Sequence, residues 1–520
     1  MFTNNFSTVD WVIVACYLSL SIAIGILANR YTRSVSAYMV GGAAAGTSLN
    51  TASYVGTYLG LVTVMYAAQD AFSNGFAYVT VGFFGLFAAG FIGSTGFCVR
   101  KLREMKLLTL PEYFERRFSR RTRIVAASVC VLAGVLNMGL FPKMGATFIT
   151  YATGLNSYTD LGLDPETIVN LITSALIVLV LIYTVLGGMV SVVITDYMQF
   201  VVLSVGMGFG VYCCLDYPGL GWSTMIETLA EHRGERMFNP LAPGGYGWVW
   251  VIFNIFIFFF ATLAWAPEAT RTLTARSPSV ARKTFLFVAP ANFIRIGIPA
   301  LWAVAAFTLV SQHEELRAYF FPDGLDAAPS NPGQAMPLAL GAIVPSGLLG
   351  ILVAGLMAAF MSTHDSYLLC WSSVIARDIV SPLRNRRLEG RQEIFVTRVS
   401  VVVIGLFLLV WGIWYPLDES VWNYMAVTGS VYLSGAGVAL IGGIYWKRAS
   451  EAGAIAAFFA GLVAIAGLFL DPINELSGLD ITQPLVGLFS FCFCAIVFVT
   501  VSLLVPDQDV RQKQERIAEG

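Results

Sequence analysis

Long apolar runs separated by short polar punctuation set the pattern of this chain. A membrane-crossing helix needs about 20 apolar residues. Thirteen runs fit that template, near 9–28, 43–70, 76–99, 124–152, 166–187, 190–214, 246–269, 284–310, 338–369, 395–415, 420–445, 452–471 and 482–505. The pattern predicts an all-α integral membrane protein with about 13 transmembrane helices. Composition agrees: across 520 residues, 57% are hydrophobic and 12% charged, with mean hydropathy +0.72. A soluble domain has no need of so apolar a chain.

The distribution of charge adds direction. Of 31 Lys and Arg residues, 26 fall in alternate loops and the C-terminal tail, with the largest clusters at 100–123 and 377–398. Basic residues in short loops stay on the cytoplasmic side, so the expected topology is N-terminus outside and C-terminus cytoplasmic, in the cell membrane. Lys143 and Arg295 lie deep inside apolar runs. The first run lacks a basic region before it and is followed by Arg30 and Arg33, which favours a retained helix over a cleaved signal. A formal net charge of −1 gives no reason to expect a nucleic-acid partner. The eight cysteines sit mostly in apolar runs without metal-ligand spacing and are read as small core residues.

Two stretches interrupt the apolar pattern with small and hydroxyl-bearing residues. In GGAAAGTSLNTASYVGTYLGLVTVMYAAQD these crowd around Gly56, Gly60 and Thr63. Close helix packing explains such residues; so does a broken helix whose freed carbonyls face a cavity. The other stretch is Gly347–Asp378, where Ala359, Ser362 and Thr363 stand at i, i+3 and i+4 on one helical face. Uncharged oxygens suit a monovalent hard cation that must bind and then leave. Hydroxyls bonded to their own preceding turn are the alternative.

Other candidates carry charge. Lys143 sits within a span, where a cation costs about 2.5–3.5 kcal/mol on insertion scales. It is read either as facing an anionic substrate group or as a structural partner of Asp70. Asp196 follows the Gly187–Gly188 turn, as a helix-start charge or an attractor for a departing cation. Glu268 and Arg271 read as an ion pair near the cytoplasmic interface. Nucleotide-loop, metalloprotease and serine-hydrolase signatures are absent from the sequence. An enzyme is therefore not expected, nor any cofactor.

Four segments together resemble the solute:sodium symporter family over nearly the whole chain: YMVGGAAAGTSLNTASYVGTYLG, LTLPEYFERRF, YTVLGGMVSVVITDYMQF and GILVAGLMAAFMSTHDSYL…ARDI. The resemblance implies a leucine-transporter-like core of two inverted five-helix repeats. They would span 43–215 and 246–449, with a leading helix and loop at 1–42, an outer loop at 216–245, two trailing helices at 450–505 and a tail at 506–520. It implies a Na+ site built from the carbonyls of Gly56, Leu59 and Ala359 and the hydroxyls of Ser362 and Thr363, with Asp196 accessory. The expected function is Na+-coupled symport of a small polar organic solute, possibly carboxylate-bearing, by alternating access. An H+-coupled symporter and a non-transporting membrane sensor are the alternatives. Partners would be the solute, Na+ and the lipid bilayer, with no nucleic acid and no obligate protein partner evident. One departure falls where the family commonly faces its solute: GLVTVMYAAQDAFSNG places Gly60 and Thr63 at expected polar or small positions. Gly60, Thr63 and Lys143 are therefore the candidate substrate contacts.

Overall fold

The computed structural model describes residues 4–28, 46–157, 162–187, 189–386, 388–415 and 420–507. The described residues are helical, with no strand among them. In lipid this is the expected outcome, because a helix satisfies its own backbone polar groups.

The helices that matter for function are α1 (Thr8–Ala28), α2 (Thr47–Tyr58), α3 (Leu61–Asn74), α4 (Thr80–Thr95), α5 (Leu110–Arg117), α6 (Arg120–Met138), α7 (Phe141–Ala152), α8 (Pro165–Gly187), α9 (Met189–Asp216), α10 (Gly247–Ala264), α11 (Ala266–Thr274), α12 (Pro278–Gln312), α13 (Leu348–Val374), α14 (Gly390–Trp414) and α15 (Val421–Tyr445). Two further apolar segments follow, ending in the helix Gln483–Leu504.

Eleven helices among the described residues are long and apolar enough to cross a membrane, against the thirteen expected. α1 is 21 residues long, Thr8–Ala28, the length a span needs, and the runs expected at 43–70 and 76–99 meet at the 3-10 turn Gly75–Val79, within the stretch Leu61–Thr95.

Burial sorts the spans. In the most apolar window of the α13 stretch 89% of residues are buried, against 33% in α14 and in the last helix. α13 is thus a central post surrounded by protein, while the peripheral helices present Phe, Leu and Val to lipid. Three contacts define its surroundings. Glycines let neighbours close in: a Cβ at Gly355 would lie 3.1 Å from the Leu203 backbone of α9, and one at Gly350 would lie 2.7 Å from the Asp10 carboxylate. Asp10 accepts the Gly347 and Gly350 amides, each at 2.7 Å, and the Ser346 hydroxyl at 2.8 Å. The first helix thereby supplies the anionic cap at the start of α13, where unsatisfied amides and the helix dipole favour one.

The other end of α13 passes into a π-helical turn, Ile375–Val380, at the basic face. There Asp378 accepts from the Thr109 hydroxyl at 2.9 Å and Arg123 Nε at 2.7 Å, while Arg123 also pairs with Glu115 and Arg377 with Glu393. The basic segment LPEYFERR forms the helix α5 beside this cluster, with Leu110, Pro111, Tyr113, Phe114 and Arg117 buried and Pro111 in its first turn.

Candidate cation and solute site

Two helices are interrupted at the middle of the bundle. α2 ends at Tyr58 and α3 starts at Leu61; Leu59 (φ −90°, ψ 64°) and Gly60 (φ −84°, ψ 160°) lie between. α10 ends at Ala264 and α11 restarts one residue later, with Trp265 extended (φ −65°, ψ 121°) and Pro267 in the new first turn. Proline needs no amide partner there, so it suits a restart.

A broken helix leaves last-turn carbonyls without helical donors. In α2 the Val55 carbonyl still receives the Leu59 amide at 2.7 Å. The Gly56 carbonyl receives the Ser362 hydroxyl at 3.4 Å, and the Tyr58 carbonyl receives Thr63 Oγ1 at 3.2 Å and Arg295 Nη1 at 3.3 Å. Opposite, Thr363 Oγ1 donates to the Ala359 carbonyl at 2.9 Å. The face predicted on α13 therefore meets the break predicted near Gly56, and Ser362 and Thr363 are 1% and 5% exposed. Gly60 is indispensable to this approach: a Cβ there would stand 2.3 Å from Thr363 Oγ1. Thr363 bonds its own helix, while Ser362 reaches across the break. Asp196 lies in α9, with its side-chain surroundings outside the described residues.

Beside these oxygens is a cavity of about 80 Å³. Its wall includes Gly60, Thr63 and Thr363 together with Glu268, Arg295 and aromatic side chains from six helices, Tyr58, Tyr66, Phe141, Phe258, Tyr367 and Trp422 among them, with Trp265 at the second break. Lys143 is not part of that wall; its Nζ donates to the Tyr415 carbonyl at 3.2 Å, at the end of α14. Asp70 stands apart from it, accepting from Ser420 Oγ at 2.9 Å and Tyr246 at 3.5 Å.

Two cavity charges escape the sequence reading. Arg295 is 4% exposed, its guanidinium carbon 3.4 Å from the Tyr58 ring centroid. Glu268 is equally buried, and accepts the Tyr54 hydroxyl at 2.8 Å. The expected interface position of Glu268 and Arg271 is replaced by burial, because α11 resumes inside the protein after the break. Arg271 is 3% exposed and donates to Ser366 Oγ of α13 at 3.2 Å. The available signal for Arg295 was a lone Arg in a long apolar run, the same one that drew attention to Lys143.

Paired broken helices around a midplane pocket, with freed carbonyls facing hydroxyls, define an ion-coupled membrane carrier. The profile of the Sodium:solute symporter family matches residues 38–461. The chain belongs to that family; it is a Na+-coupled symporter of a small organic solute and not an enzyme.

Its relatives include the sodium/sialic acid symporter SiaT of Proteus mirabilis, 24% identical over 89% of this chain and 90% of that protein. The sodium/mannose cotransporter of Bos taurus is 25% identical over 97% of this chain and 88% of that protein. Among solved structures, a substrate-bound, outward-open Na+-coupled sialic acid symporter superposes with a TM-score of 0.77 at 21% identity, covering 96% and 99% of the two chains. MhsT in complex with L-phenylalanine gives 0.53 at 15% identity, covering 88% and 98%. The core fold is accordingly leucine-transporter-like.

Proposed function

We propose that the chain takes up a small polar, carboxylate-bearing solute, driven by Na+ bound between the α2–α3 break and α13. The carbonyls of Gly56, Leu59 and Ala359 and the hydroxyls of Ser362 and Thr363 form the Na+ shell, with Asp196 as an accessory attractor on the release route. The observation that carries this reading is the contact across the break, Ser362 to the Gly56 carbonyl at 3.4 Å with Thr363 against Gly60. Neutral oxygens hold a monovalent cation firmly enough to bind and weakly enough to release.

The solute lies next to the ion, and Thr363 borders both places. That adjacency supplies the coupling: each ligand orders the break that the other needs, so each raises the other's affinity by the same factor. The repeats 43–215 and 246–449 rock about this fixed site, with basic loops cytoplasmic and the chain multi-pass in the cell membrane. A carboxylate-bearing cargo is favoured by the sialic acid symporters among the relatives.

A Na+ gradient does substantial work here. One charge crossing 100 mV is worth about 2.3 kcal/mol, roughly fifty-fold accumulation before any concentration gradient of Na+ is counted. The test is thermal unfolding of the purified protein in NaCl against choline chloride. Saturating Na+ should stabilise the wild type by about 2.7 kcal/mol at one hundred times its Kd. Equal unfolding temperatures in the two salts, with uptake in vesicles following a pH gradient instead, would establish H+ coupling.

A further inference from the structure

Arg295 and Glu268 line one cavity with opposite charges. They are not engaged with each other: among the described residues no ion pair within 4.0 Å joins them, and each has another partner. Arg295 lines the cavity, its Nη1 donates to the Tyr58 carbonyl at 3.3 Å, and among the described residues no carboxylate lies within 4.0 Å of its guanidinium. A guanidinium on a cavity wall without a carboxylate partner is a place for an anionic acceptor that the protein does not provide. A carboxylate matches that fork best.

Glu268 changes what such an acceptor must be attached to. A simple monoanion on Arg295 would bring a second negative charge close to the Glu268 carboxylate, and like charges in one site oppose binding. A neutral polyol would leave the guanidinium donor poorly met. A molecule with both a carboxylate and an ammonium group satisfies both ends and leaves the site's net charge unchanged. The remaining wall is aromatic, with Trp265, Tyr367 and Trp422 lining the same cavity, a setting that suits a cationic head. A cavity of about 80 Å³ has room for a small solute.

We propose that the cargo is a compact zwitterion of amino-acid or betaine type, its carboxylate on Arg295 and its ammonium group on Glu268. This rests on the symport reading above and refines the substrate class of the same site. Both side chains come from the second half of the chain, Glu268 from α11 and Arg295 from α12, whereas the cation shell draws on α2 and α13.

The experiment is a thermal-shift series on the full-length purified protein, in NaCl and in choline chloride. The probes are L-alanine, L-proline and glycine betaine as zwitterions, lactate as a monoanion, putrescine as a cation and myo-inositol as a neutral solute. At least one zwitterion should raise the unfolding temperature in NaCl, with lactate, putrescine and myo-inositol ineffective at the same concentration. Glu268→Gln should weaken the binding zwitterion at least tenfold and let lactate bind. Arg295→Gln should abolish the response to both. Stabilisation by lactate or myo-inositol equal to that of every zwitterion overturns the assignment, as does a series in which no zwitterion acts. The wild-type series decides this alone, whether or not either variant folds. The shift from choline to Na+ without solute is read separately, so failure of the Na+ reading cannot be mistaken for failure of the zwitterion.

Discussion

The cation site and the solute cavity share Thr363 and the Gly60 gap, yet they are built from opposite materials. The proposed cation shell uses only carbonyls and hydroxyls, whereas the cavity wall carries a guanidinium and a carboxylate, both almost fully buried. The difference follows from what each place must do. A cation that drives every cycle has to be shed on arrival, and a full carboxylate ligand would slow its departure. A cargo has to be distinguished from many other solutes, and buried charges reject whatever fails to pair with them. Weak ligation and strict selection are thus separated by one threonine side chain.

The sharpest test of that separation is Gly60→Ala. Its Cβ would overlap the Thr363 side chain, whose β-branch leaves few rotamers to escape into. Both halves should fail together: Na+ dependence of uptake should vanish and solute binding with it. Retention of either at wild-type level would show that the gap is not the shared wall.

Arg295→Gln should act on one side only. Solute affinity should fall on the order of 100-fold, the cost expected for truncating a buried charge partner. Na+ affinity, measured by titrating thermal stability without solute, should stay near the wild-type value. A comparable loss of Na+ affinity would erase the distinction between the two places.

Thr363→Ala is the converse change. Removing one oxygen from a cation costs about 1.5–3 kcal/mol, so the Na+ half-saturation of uptake should rise roughly 10- to 100-fold. Ser362→Ala should lie at the lower end, because its hydroxyl meets the Gly56 carbonyl at the longer distance of 3.4 Å. Unchanged Na+ affinity in both variants would remove these hydroxyls from the shell. The smallest effect is expected for Lys143→Met. That side chain is directed to the Tyr415 carbonyl, so uptake should change by no more than about twofold. A large loss would bring Lys143 back to the solute.

Sequence legibility followed the same division. The polar face of α13 could be read because helical spacing alone puts Ala359, Ser362 and Thr363 side by side, and the break could be read because Gly and hydroxyl residues crowd around Gly56–Gly60. Local geometry was enough for both. The charged cavity needed tertiary information: Arg295 and Glu268 belong to different helices, and nothing in the spacing between them says that they converge. Glu268 was hardest, since Pro267 beside a polar segment reads equally well as a helix leaving the membrane or as one restarting within it. The helix count was less legible, because the boundary between two apolar runs is a short 3-10 turn, Gly75–Val79, rather than a polar loop.

The carboxylate of Asp10 on the amides of Gly347 and Gly350 has a practical consequence for anyone instrumenting this carrier. The few residues ahead of it are stitched down as well: Asn4 reaches the Ala152 carbonyl, and the Asn5 amide and side chain reach the carbonyls of Gly341 and Ala342. A fluorescent protein or affinity handle spliced next to Asn4 would tug on a tether that ends at the helix carrying Ser362 and Thr363. Reporter signals from such fusions would then track the handle's load as well as the transport cycle, and a dye on the lipid-facing side of α14 offers a quieter attachment point.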